Sequence, residues 1–579
     1  MKRFSCFFIW IFVLASILPA QEREVKLKVV QTSDVHGNYY PYDFIRRREA
    51  TGSLACVHAL VQKEREAYGE NLILLDNGDI LQGQPTAYYY NYMDTVAPHL
   101  AAEMMNFMGY NAGNMGNHDV ETGRTVFDRW AGDCRFPILG ANIVDIATEE
   151  PHFRPYEVLE REGVKIVVLG MITPAIPVWL SENLWKGLRF DDMEETARKW
   201  MKIIREQEKP DLVIGMFHAG QDAQLMGGKY RENASVEVAC NVPGFDIVLM
   251  GHDHARECKR VCNMVGDSVL VMDPASNGVV VSNVDITLKL RDGKVIDKKI
   301  DGILSDTQDY GVSEEFMQRF APEYAAVQNF VSKKIGSFTE TISTRPAYFG
   351  SSAFIDLIHE LQLAISGADI SFAAPLSYDT EIRKGDIFVN DMFNLYKYEN
   401  MLYVMELSGK EIKGFLEMSY AMWTNQMKSA DDHLLLFKQP IEEGKRANFE
   451  YYSFNFDSAA GINYTVDVTK PRGEKVNILS MADGTPFDMD KRYKVALNSY
   501  RGNGGGDLLT IGAGIAKEDL SERIVFATDK DLRYYLMQYI EQQKSLHPHA
   551  MHQWKFIPEE WTVPAAKRDY KLLFGEDKE

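Results

Sequence analysis

The 579-residue sequence is short of positive charge. Lysine and arginine number 63 against 83 aspartate and glutamate residues, which leaves a formal net charge of −20 at pH 7. A protein that binds the phosphate backbone of a nucleic acid needs a basic face. The charge balance therefore argues against a nucleic-acid polymer as partner. It leaves room for a small nucleotide that is held through a metal ion.

Cysteine is also scarce, with six residues in the whole chain. Beyond Cys6 the remaining five are Cys56, Cys134, Cys240, Cys258 and Cys262, and an odd number leaves at least one thiol unpaired. Cys258 and Cys262 could pair with each other, or Cys240 with one of them. A zinc site would need a second pair of ligands at finger spacing, which the sequence lacks. A disulfide or buried thiols are the favoured interpretation.

Long apolar runs are missing except at the start of the chain. Lys2 and Arg3 precede the apolar run 7–18, and Ala20 is a small residue suited to a cleavage site. The run is too short to span a membrane comfortably. We therefore predict that residues 1–20 are a cleavable signal peptide. The mature chain is expected to have no transmembrane segment and to be periplasmic or secreted.

In the first half of the chain, short apolar runs alternate with segments of helix length. The runs are 25–32, 71–75, 164–171, 212–217 and 246–250, and apolar residues recur at helical spacing in 53–68 and 194–207. Short, fully apolar strands separated by helices are typical of a buried α/β sheet. The alternating run 279–290 then closes a first domain, which we predict to span 25–311.

A second domain is predicted over residues 341–545. Between the domains, apolar residues in 313–334 form one helical stripe, which indicates a linking helix that we assign to 312–340. Further on, 353–366 has a helical pattern, and the strand-like segments are 402–407, 464–468 and 492–498. Residues 546–579 are rich in tryptophan, proline and charge, and we assign them to a C-terminal tail.

Side chains that bind metals follow the apolar runs of the first domain in five places. They are Asp34 and His36, Asp79, Asn117 with His118, His218, and His252 with His254. In open α/β sheets the ligand crevice lies outside the carboxyl ends of the strands, so we expect these side chains to converge. Taken singly, each would be a turn residue or a surface histidine. Together, in this order, they predict a metal centre.

The donor types favour two divalent ions. Two ions about 3.5–4 Å apart need a shared carboxylate, and His, Asp and Asn suit the flanking positions. We assign the shared position to Asp79. The remaining ligands are divided into Asp34, His36 and His254 for one ion, and Asn117, His218 and His252 for the other. Nitrogen and oxygen donors accept Zn, Mn, Co or Fe, and the sequence does not distinguish among these metals.

His118 is adjacent to a predicted ligand but is not needed as one. We interpret it as a general acid, or as the donor that stabilises a transferring phosphoryl group. A carboxylate would have to hold its protonated form, and Asp119 or Glu121 could do so. His118, Asp119 and Glu121 are therefore the predicted catalytic residues.

These motifs resemble the complete signature of the calcineurin-like metallophosphoesterases. The matching residues are Asp34-x-His36, Gly78-Asp79, Gly116-Asn117-His118-Asp119, His218 and Gly251-His252-x-His254. The chain after the signal peptide is similar throughout to the secreted 5′-nucleotidase / 2′,3′-cyclic phosphodiesterase family. The resemblance implies a four-layer α/β/β/α metal domain, a linking helix and a C-terminal α/β nucleotide-binding domain.

The resemblance also implies that two aromatic rings of the second domain sandwich the base. Carried over, this pair would be Phe454 and Tyr500. Asp507, close behind Tyr500 in the sequence, could accept a hydrogen bond from the ribose or base. Stacking contributes about 1–3 kcal/mol per base and suits any base. Phe454 lies in an aromatic run and could equally be a core residue. Some family members have an aspartate where this chain has Glu121, so the partner of His118 stays open.

Two branches of the family differ in the second domain. The 5′-nucleotidase branch has an Asn-x-Gly-Gly-Ile-Arg-like motif where this chain has residues 374–383, Ala-Pro-Leu-Ser-Tyr-Asp-Thr-Glu-Ile-Arg. Other stretches instead resemble the 2′,3′-cyclic-nucleotide 2′-phosphodiesterase/3′-nucleotidase branch, among them Gly461-Ile462-x-Tyr464, Pro471-x-Gly473 and Gly504-Gly505-Gly506. Three more carry the argument. They are Tyr396-x-Tyr398-Glu399-Asn400, Phe454-Asn455-Phe456-Asp457 and Asn498-Ser499-Tyr500-Arg501. The resemblance thus favours cyclic and 3′-nucleotides over 5′-nucleotides.

We therefore expect a periplasmic or secreted two-metal hydrolase of nucleotide phosphoesters. The expected reaction is in-line attack of a metal-bridging hydroxide on the phosphorus of 2′,3′-cyclic nucleotides and 3′-nucleotides. The alternatives are a 5′-nucleotidase or UDP-sugar hydrolase, a sulfur-ester hydrolase on the same scaffold, and a non-catalytic nucleotide-binding protein. The last would be expected to have lost a ligand, and none is missing from the sequence.

Overall fold

The computed structural model describes residues 22–442 and 444–575. The predicted signal peptide, residues 1–20, lies outside these ranges. Within them, no helix is both long enough and apolar enough to cross a membrane.

The first domain contains two six-stranded sheets. In spatial order, the strands of the first sheet are Lys294–Asp306, Val280–Arg291, Glu22–Thr32, Leu72–Asp76, Ala112–Asn114 and Ile138–Leu139. Those of the second sheet are Arg256–Cys262, Ser268–Pro274, Ile247–Leu249, Leu212–His218, Val164–Ile172 and Tyr156–Arg161. The central strands of both sheets run parallel, so their carboxyl ends lie along one edge of each sheet.

The two sheets pack face to face, and helices cover their outer faces. Val29, Ile73, Val168 and Ile214 are fully buried between the sheets. The helices on the first sheet are Leu54–Tyr68, Leu100–Met108 and Arg124–Asp133, and those on the second are Met193–Gln207 and Ser235–Asn241. Because both faces of each sheet are covered at its centre, central strands such as Leu72–Asp76 and Leu212–His218 are buried along their whole length. The four-layer α/β/β/α arrangement that the resemblance implied is confirmed.

The segment between the domains is two helices and not one. One residue, Phe320, separates the helix Glu314–Arg319 from the helix Ala321–Val331. Pro322 lies in the first turn of the second helix, where its missing N–H is not needed. Inside a continuous helix its ring would clash with the carbonyl four residues earlier. The chain then enters the strand Lys334–Phe338, so the prediction of a single helix over 312–340 is corrected.

The second domain is built on a five-stranded mixed sheet. In spatial order its strands are Ser458–Ala460, Ile370–Ala373, Arg492–Asn498, Met401–Ser408 and Ile524–Asp531. The helices that pack with it are Ala353–Ser366, Val389–Leu395, Gly409–Trp423 and Leu532–Gln543. The helix predicted over 353–366 and the strand predicted over 492–498 are present with those bounds. The α/β class predicted for this domain is confirmed.

The last described residues, 554–574, pack into the second domain and do not form a separate tail. The strand Trp554–Ile557 pairs with Ile462–Asp467, and the helix Glu559–Phe574 follows it. Leu573 is buried in the same apolar core as Trp423. Composition alone could not predict this, because the strand's partner lies far away in the sequence.

All five cysteines of the described residues are free thiols. Cys258 and Cys262 are exposed on one strand, Arg256–Cys262. Four residues apart in a strand, their Cα atoms are separated by about 13 Å, roughly twice the reach of a disulfide. Geometry therefore excludes the local pairing of these two residues that the sequence left open.

Two tyrosines of the first domain bind buried carboxylates of the second. Tyr88 donates a hydrogen bond to Asp531 over 3.0 Å. Tyr92 donates to Glu399 over 3.1 Å. The fully buried Arg533 lies 3.7 Å from Glu399 and is the cation that faces both carboxylates. Burial raises the pKa of Glu399 to about 7, so a group that titrates near neutral pH joins the domains.

Glu399→Gln should remove part of the pH dependence of stability. The folded-state pKa of about 7 lies above the usual 4.5, so stability falls as the pH rises from about 4.5 to about 7, where the unfolded chain has lost the Glu399 proton and the folded chain still holds it. Glutamine resembles the protonated acid. The free energy of unfolding of the variant, from urea titrations, should match wild type at pH 5 and exceed it by about 2 kcal/mol at pH 8.

The control is Glu340→Gln, which changes an exposed glutamate away from the interface. It should follow the wild-type curve at both pH values. A Glu399→Gln variant that is less stable than wild type at pH 8 would contradict the assignment, because it would mean that the ionised carboxylate stabilises the interface.

Candidate metal centre

The seven predicted metal ligands lie together beside the carboxyl ends of the parallel strands. On the first sheet, Asp34 and His36 follow Glu22–Thr32, Asp79 follows Leu72–Asp76, and Asn117 follows Ala112–Asn114. On the second sheet, His218 ends Leu212–His218, and His252 and His254 follow Ile247–Leu249. We call these seven side chains the donor cluster. Their convergence agrees with the crevice rule for α/β sheets, and their role as ligands stays a prediction.

The turns that carry the donor cluster are tight. The backbone has a φ between 49° and 79° at Asp34, His36, Asp79, His252 and His254. Few non-glycine residues adopt this left-handed conformation, which costs on the order of 1 kcal/mol or more per residue. At Gly78 a side chain is excluded, because a Cβ would lie 2.4 Å from the backbone nitrogen of Gly116. The surrounding structure holds these turns, and they bring the donors to one place.

The first group of donors is Asp34, His36 and His254. The Nε2 atoms of the two histidines are 3.0 Å apart, and that of His254 lies 3.3 Å from Asp34 Oδ1. Burial lowers the pKa of His36 to about 4, so its ring is neutral at pH 7. Burial acts to raise the pKa of Asp34, but neighbouring histidines outweigh it and hold the carboxylate ionised. Lone pairs therefore converge, as a divalent ion requires.

The second group of donors is Asp79, Asn117, His218 and His252. His218 Nε2 lies 3.3 Å from Asp79 Oδ2 and 3.1 Å from Asn117 Oδ1. His252 Nδ1 lies 2.7 Å from the same oxygen of Asn117. The other nitrogen of His218, Nδ1, donates to the carbonyl oxygen of Asn77 over 2.7 Å, which orients the ring toward the group.

Asp79 faces both groups. Its Oδ2 lies 3.3 Å from His218 Nε2 and 3.9 Å from His36 Nε2. Asp34 and Asp79 are at most 1% exposed, and within the described residues their ionic partners are all histidines. Burial acts to lower the pKa of His218, but the two carboxylates raise it to about 10. The cluster thus attracts positive charge strongly, and its nitrogen and oxygen donors fit Zn, Mn, Co or Fe.

His118 stands next to the donor cluster and is paired with Glu121. Its Nδ1 lies 2.6 Å from Glu121 Oε2, and its backbone N–H donates to Asp79 Oδ1 over 2.8 Å. Burial acts to lower the pKa of His118, but Asp79 and Glu121 outweigh it and raise the pKa to about 9. The ring is therefore protonated at pH 7, and Nε2–H is the donor that it can offer to a bound oxygen.

Asp119 differs from Glu121 in what it binds. Its fully buried carboxylate accepts four backbone N–H groups at 2.8–2.9 Å, those of Asp79, Ile80, Leu81 and Gly116. It thereby ties together the two turns that carry donors. Of the two carboxylates that the sequence offered to His118, Glu121 is the one in contact. The prediction of Asp119 as an alternative partner of the imidazole is therefore corrected.

A cavity of ≈ 470 Å³ opens beside the donor cluster and extends to the second domain. The first domain contributes Asn117, His118, Glu121, Trp179, Glu232 and His252 to its wall. The second domain contributes Leu376, Tyr398, Asn400, Phe454, Asn455 and Tyr500. No lysine or arginine of the described residues lines it. The volume lies in the range of small-molecule sites.

The rings of Phe454 and Tyr500 both line this cavity but are not parallel. Their centroids are 6.3 Å apart and their planes are inclined at 86°. Tyr452 stacks on Phe454, with centroids 5.2 Å apart and an angle of 8° between the planes. A base sandwiched between Phe454 and Tyr500 would therefore require one ring to turn. The role of the pair stays a prediction.

The structure does not bring Asp507 to the cavity. Its side chain is exposed, and its carboxylate accepts a hydrogen bond from Thr510 over 3.2 Å. The backbone at Asp507 has a φ of 61°, in a turn rich in glycine, and Asp507 is not a wall residue of the cavity. A contact of Asp507 with the ribose or base therefore has no support from the cavity and stays a prediction.

Two residues that no sequence motif indicated belong to the site, and a third, Arg501, stands in a quoted motif but makes contacts that the motif did not indicate. Trp179 and Glu232 line the cavity, and neither lies in a recognisable motif. Arg501 is 2% exposed and joins the two aromatic loops: its guanidinium binds Asp457 Oδ2 at 2.8 Å, the carbonyl oxygen of Gly505 at 2.8 Å and that of Phe454. A buried arginine leaves no signal in the sequence that separates it from an exposed one.

Comparison with known proteins accounts for both domains. Residues 27–256 match the calcineurin-like phosphoesterase family, and residues 334–511 match the 5′-nucleotidase C-terminal domain. A 2′,3′-cyclic-nucleotide 2′-phosphodiesterase/3′-nucleotidase of Haemophilus influenzae is 27% identical over 92% of this chain and 88% of its own length. A trifunctional nucleotide phosphoesterase of Bacillus subtilis is 28% identical over 95% of this chain, which spans 40% of that protein. A solved putative 5′-nucleotidase of Staphylococcus aureus has a TM-score of 0.73 at 20% identity, over 92% of this chain and 100% of its own.

The chain is therefore a calcineurin-like metallophosphoesterase, from a family that uses divalent metals. More particularly, it belongs to the nucleotidases in which this domain is joined to a 5′-nucleotidase C-terminal domain, and it is a hydrolase. The resemblance drawn from the motifs is confirmed.

Asp119→Ala should destabilise the fold. Alanine leaves four buried N–H groups without their acceptor, which costs roughly 3–5 kcal/mol. We expect the Tm to fall by roughly 5–10 °C in differential scanning calorimetry. Glu121→Gln is the matched control, because its side chain contacts His118 at the cavity wall and anchors no backbone. Equal destabilisation in the two variants would contradict the division of roles.

Glu121→Gln should instead lower catalysis. Glutamine can still accept from His118 Nδ1, but it removes a charge that raises the pKa of the ring. We expect kcat to fall by at least about tenfold at pH 8, with the alkaline limb of the kcat profile shifted to lower pH. The measurement is kcat against pH with a nucleotide substrate. An unchanged profile would exclude Glu121 as the partner that holds the proton.

Proposed function

We propose that this chain hydrolyses phosphoester bonds of nucleotides with two divalent ions, and that it prefers 2′,3′-cyclic nucleotides and 3′-nucleotides. One observation carries the proposal: a single cavity of ≈ 470 Å³ has His118 and two members of the donor cluster, Asn117 and His252, at its first-domain wall and aromatic rings at its second-domain wall. The donors suit a phosphate held by cations, and the rings suit a base. Residues 1–20 have the charge and apolar pattern of a signal peptide, so we also propose that the protein acts in the periplasm or outside the cell.

The two groups of donors would each hold one ion. One ion would be bound by Asp34, His36 and His254, and the other by Asn117, His218 and His252, with Asp79 shared between them. When bound, the ions would activate the attacking water and stabilise the charge at phosphorus. The left-handed turns of the chain hold the donors ready, so little rearrangement is needed when the ions bind.

His118 would act on the transferring phosphoryl group. Its ring is protonated at pH 7 and its Nδ1–H is bound to Glu121, so Nε2–H is left to donate to a phosphoryl oxygen. Negative charge grows on that oxygen in the transition state, and a fixed cationic donor stabilises it more there than in the ground state. Glu121 would keep the proton on the imidazole and hold the plane of the ring.

The second-domain wall favours cyclic and 3′-nucleotides. Tyr398, Glu399 and Asn400 come from a stretch that resembles this branch, and they line the cavity. Arg383, which ends the segment where the other branch has its arginine motif, has 88% of its side chain exposed. Within the described residues no guanidinium faces the cavity to bind a 5′-phosphate. The relative from Haemophilus influenzae is named for the cyclic and 3′ activities.

Two alternatives differ in what they leave unexplained. A 5′-nucleotidase or UDP-sugar hydrolase would use the same donors but would need another partner for the 5′-phosphate. A protein that binds nucleotides without cleaving them would be expected to have lost a donor, yet all seven meet in one cluster. The aromatic wall of the cavity favours a nucleotide over a sulfur ester.

A substrate panel tests the proposal. Release of phosphate and nucleoside from 2′,3′-cyclic AMP, 3′-AMP, 5′-AMP and a UDP-sugar is measured with Mn²⁺ and with EDTA. We expect kcat/KM to be at least about tenfold higher for the cyclic and 3′ substrates than for 5′-AMP, and EDTA to abolish all activity. Asp79→Ala should lose hydrolysis and retain nucleotide binding. Preference for 5′-AMP would overturn the choice of branch, and hydrolysis that survives EDTA would overturn the metal proposal.

Phe454→Ala should weaken the recognition of the base. The loss of one stacking face should lower kcat/KM for 3′-AMP by about tenfold, since stacking contributes about 1–3 kcal/mol. Hydrolysis of glycerol 2-phosphate, which has no ring, should not change. Tyr451→Ala is the matched control, because Tyr451 is 44% exposed and lies outside the cavity wall. An equal loss on both substrates would mean that Phe454 supports the fold and does not hold the base.

A further inference from the structure

Glu232, which lies in none of the sequence motifs, contacts the predicted metal ligand His252. It ends the strand Tyr230–Glu232, which forms a hairpin with Gln224–Met226. Its Oε1 lies 2.8 Å from His252 Nε2, and only 14% of its side chain and 12% of that of His252 are exposed. A carboxylate accepts in such a contact, so His252 Nε2 carries the hydrogen of this bond.

The contact determines which nitrogen of His252 presents a lone pair to the donor cluster. A neutral imidazole has one N–H and one lone pair. With the hydrogen on Nε2, the lone pair lies on Nδ1, which is 2.7 Å from Asn117 Oδ1. Two acceptor atoms this close repel each other unless they share a cation. Carboxylates that accept from the outer nitrogen in this way fix the tautomer and the orientation of metal-binding histidines.

The hairpin is anchored independently of the donor cluster. Successive side chains of a strand point to opposite faces, so Arg231 faces away from Glu232. Arg231 Nη2 lies 2.8 Å from Asp192 Oδ1, and Nη1 lies 2.8 Å from Glu237 Oε1. Asp192 in turn caps the helix Met193–Gln207 by accepting from its first N–H groups. Glu232 is thus held by contacts that do not involve the ligands it serves.

We propose that Glu232 is a positioning residue for the metal centre, which fixes the tautomer and the orientation of His252 for the ion that Asn117 and His218 share. The inference rests on the proposed function, because it presupposes that these residues hold an ion. Glu232 acts through His252, and its contribution is to metal affinity at one of the two positions. The other position, at Asp34, His36 and His254, does not depend on it.

Metal binding by the full chain tests the inference. Metal-free protein, prepared with a chelator, is titrated with Mn²⁺ by isothermal titration calorimetry, and wild type should show two sites. Glu232→Ala should weaken one site by about 10–100-fold and leave the other within about twofold. Glu232→Gln can still accept from His252 Nε2, so it should lose less affinity than Glu232→Ala. The matched control is Asp222→Asn, an exposed carboxylate near the same hairpin, which should bind as wild type does.

Several outcomes would overturn the inference and leave the proposed function intact. One is Mn²⁺ binding by Glu232→Ala that equals that of Asp222→Asn. Another is an equal loss at both sites together with a lower Tm, which would indicate a structural role of the hairpin. A third is an equal loss in Glu232→Ala and Glu232→Gln. If wild type itself bound no Mn²⁺, the proposed function would fail first and the inference with it.

Discussion

The first domain is organised around two buried carboxylates, Asp34 and Asp79. A buried carboxylate is costly unless positive charge compensates it, and within the described residues the ionic partners of both are histidines. Those imidazoles come from strands of both sheets, so the charge balance of the cluster depends on the register of the whole sandwich. The backbone at both aspartates is left-handed, which strains the chain. The same turns direct the two carboxylates toward the histidines that compensate their charge.

Residues of both domains form the wall of the cavity beside the donor cluster. Phe454 and Tyr500 line the same cavity as Asn117 and His252 of the donor cluster. Hydrogen bonds such as Tyr88 with Asp531 and Tyr92 with Glu399 join the two domains. A nucleotide that touches both walls would stabilise this arrangement. The nucleotide can contact both walls only when they face each other, so it would bind this arrangement of the domains more tightly than any other. A ligand shifts a conformational equilibrium toward the state that it binds more tightly.

Local patterns predicted the parts of the molecule that local physics determines. The helix 353–366 has its predicted bounds because its apolar periodicity is also its burial pattern. The donor cluster could be found because each donor follows an apolar strand, and strand ends meet by topology. The strand Trp554–Ile557 could not be placed, since its partner is distant in sequence. Glu232 was missed for the same reason: its importance lies in a contact with His252 that no spacing encodes.

A single turn of helix explains why two neighbouring carboxylates have unlike roles. Asn117–Glu121 is five residues long, and in a helix residues three apart share a face whereas adjacent residues are turned by about 100°. Glu121 therefore stands beside His118, while Asp119 meets the backbone N–H groups of the turns behind the cluster. Asn117, at the start of the turn, presents its amide oxygen to two imidazoles. One helical turn thus carries four side chains with different roles. Asn117 is a predicted metal ligand, His118 is the cationic ring, Glu121 orients that ring, and Asp119 anchors the loop. A shift of one residue in this turn would displace all four.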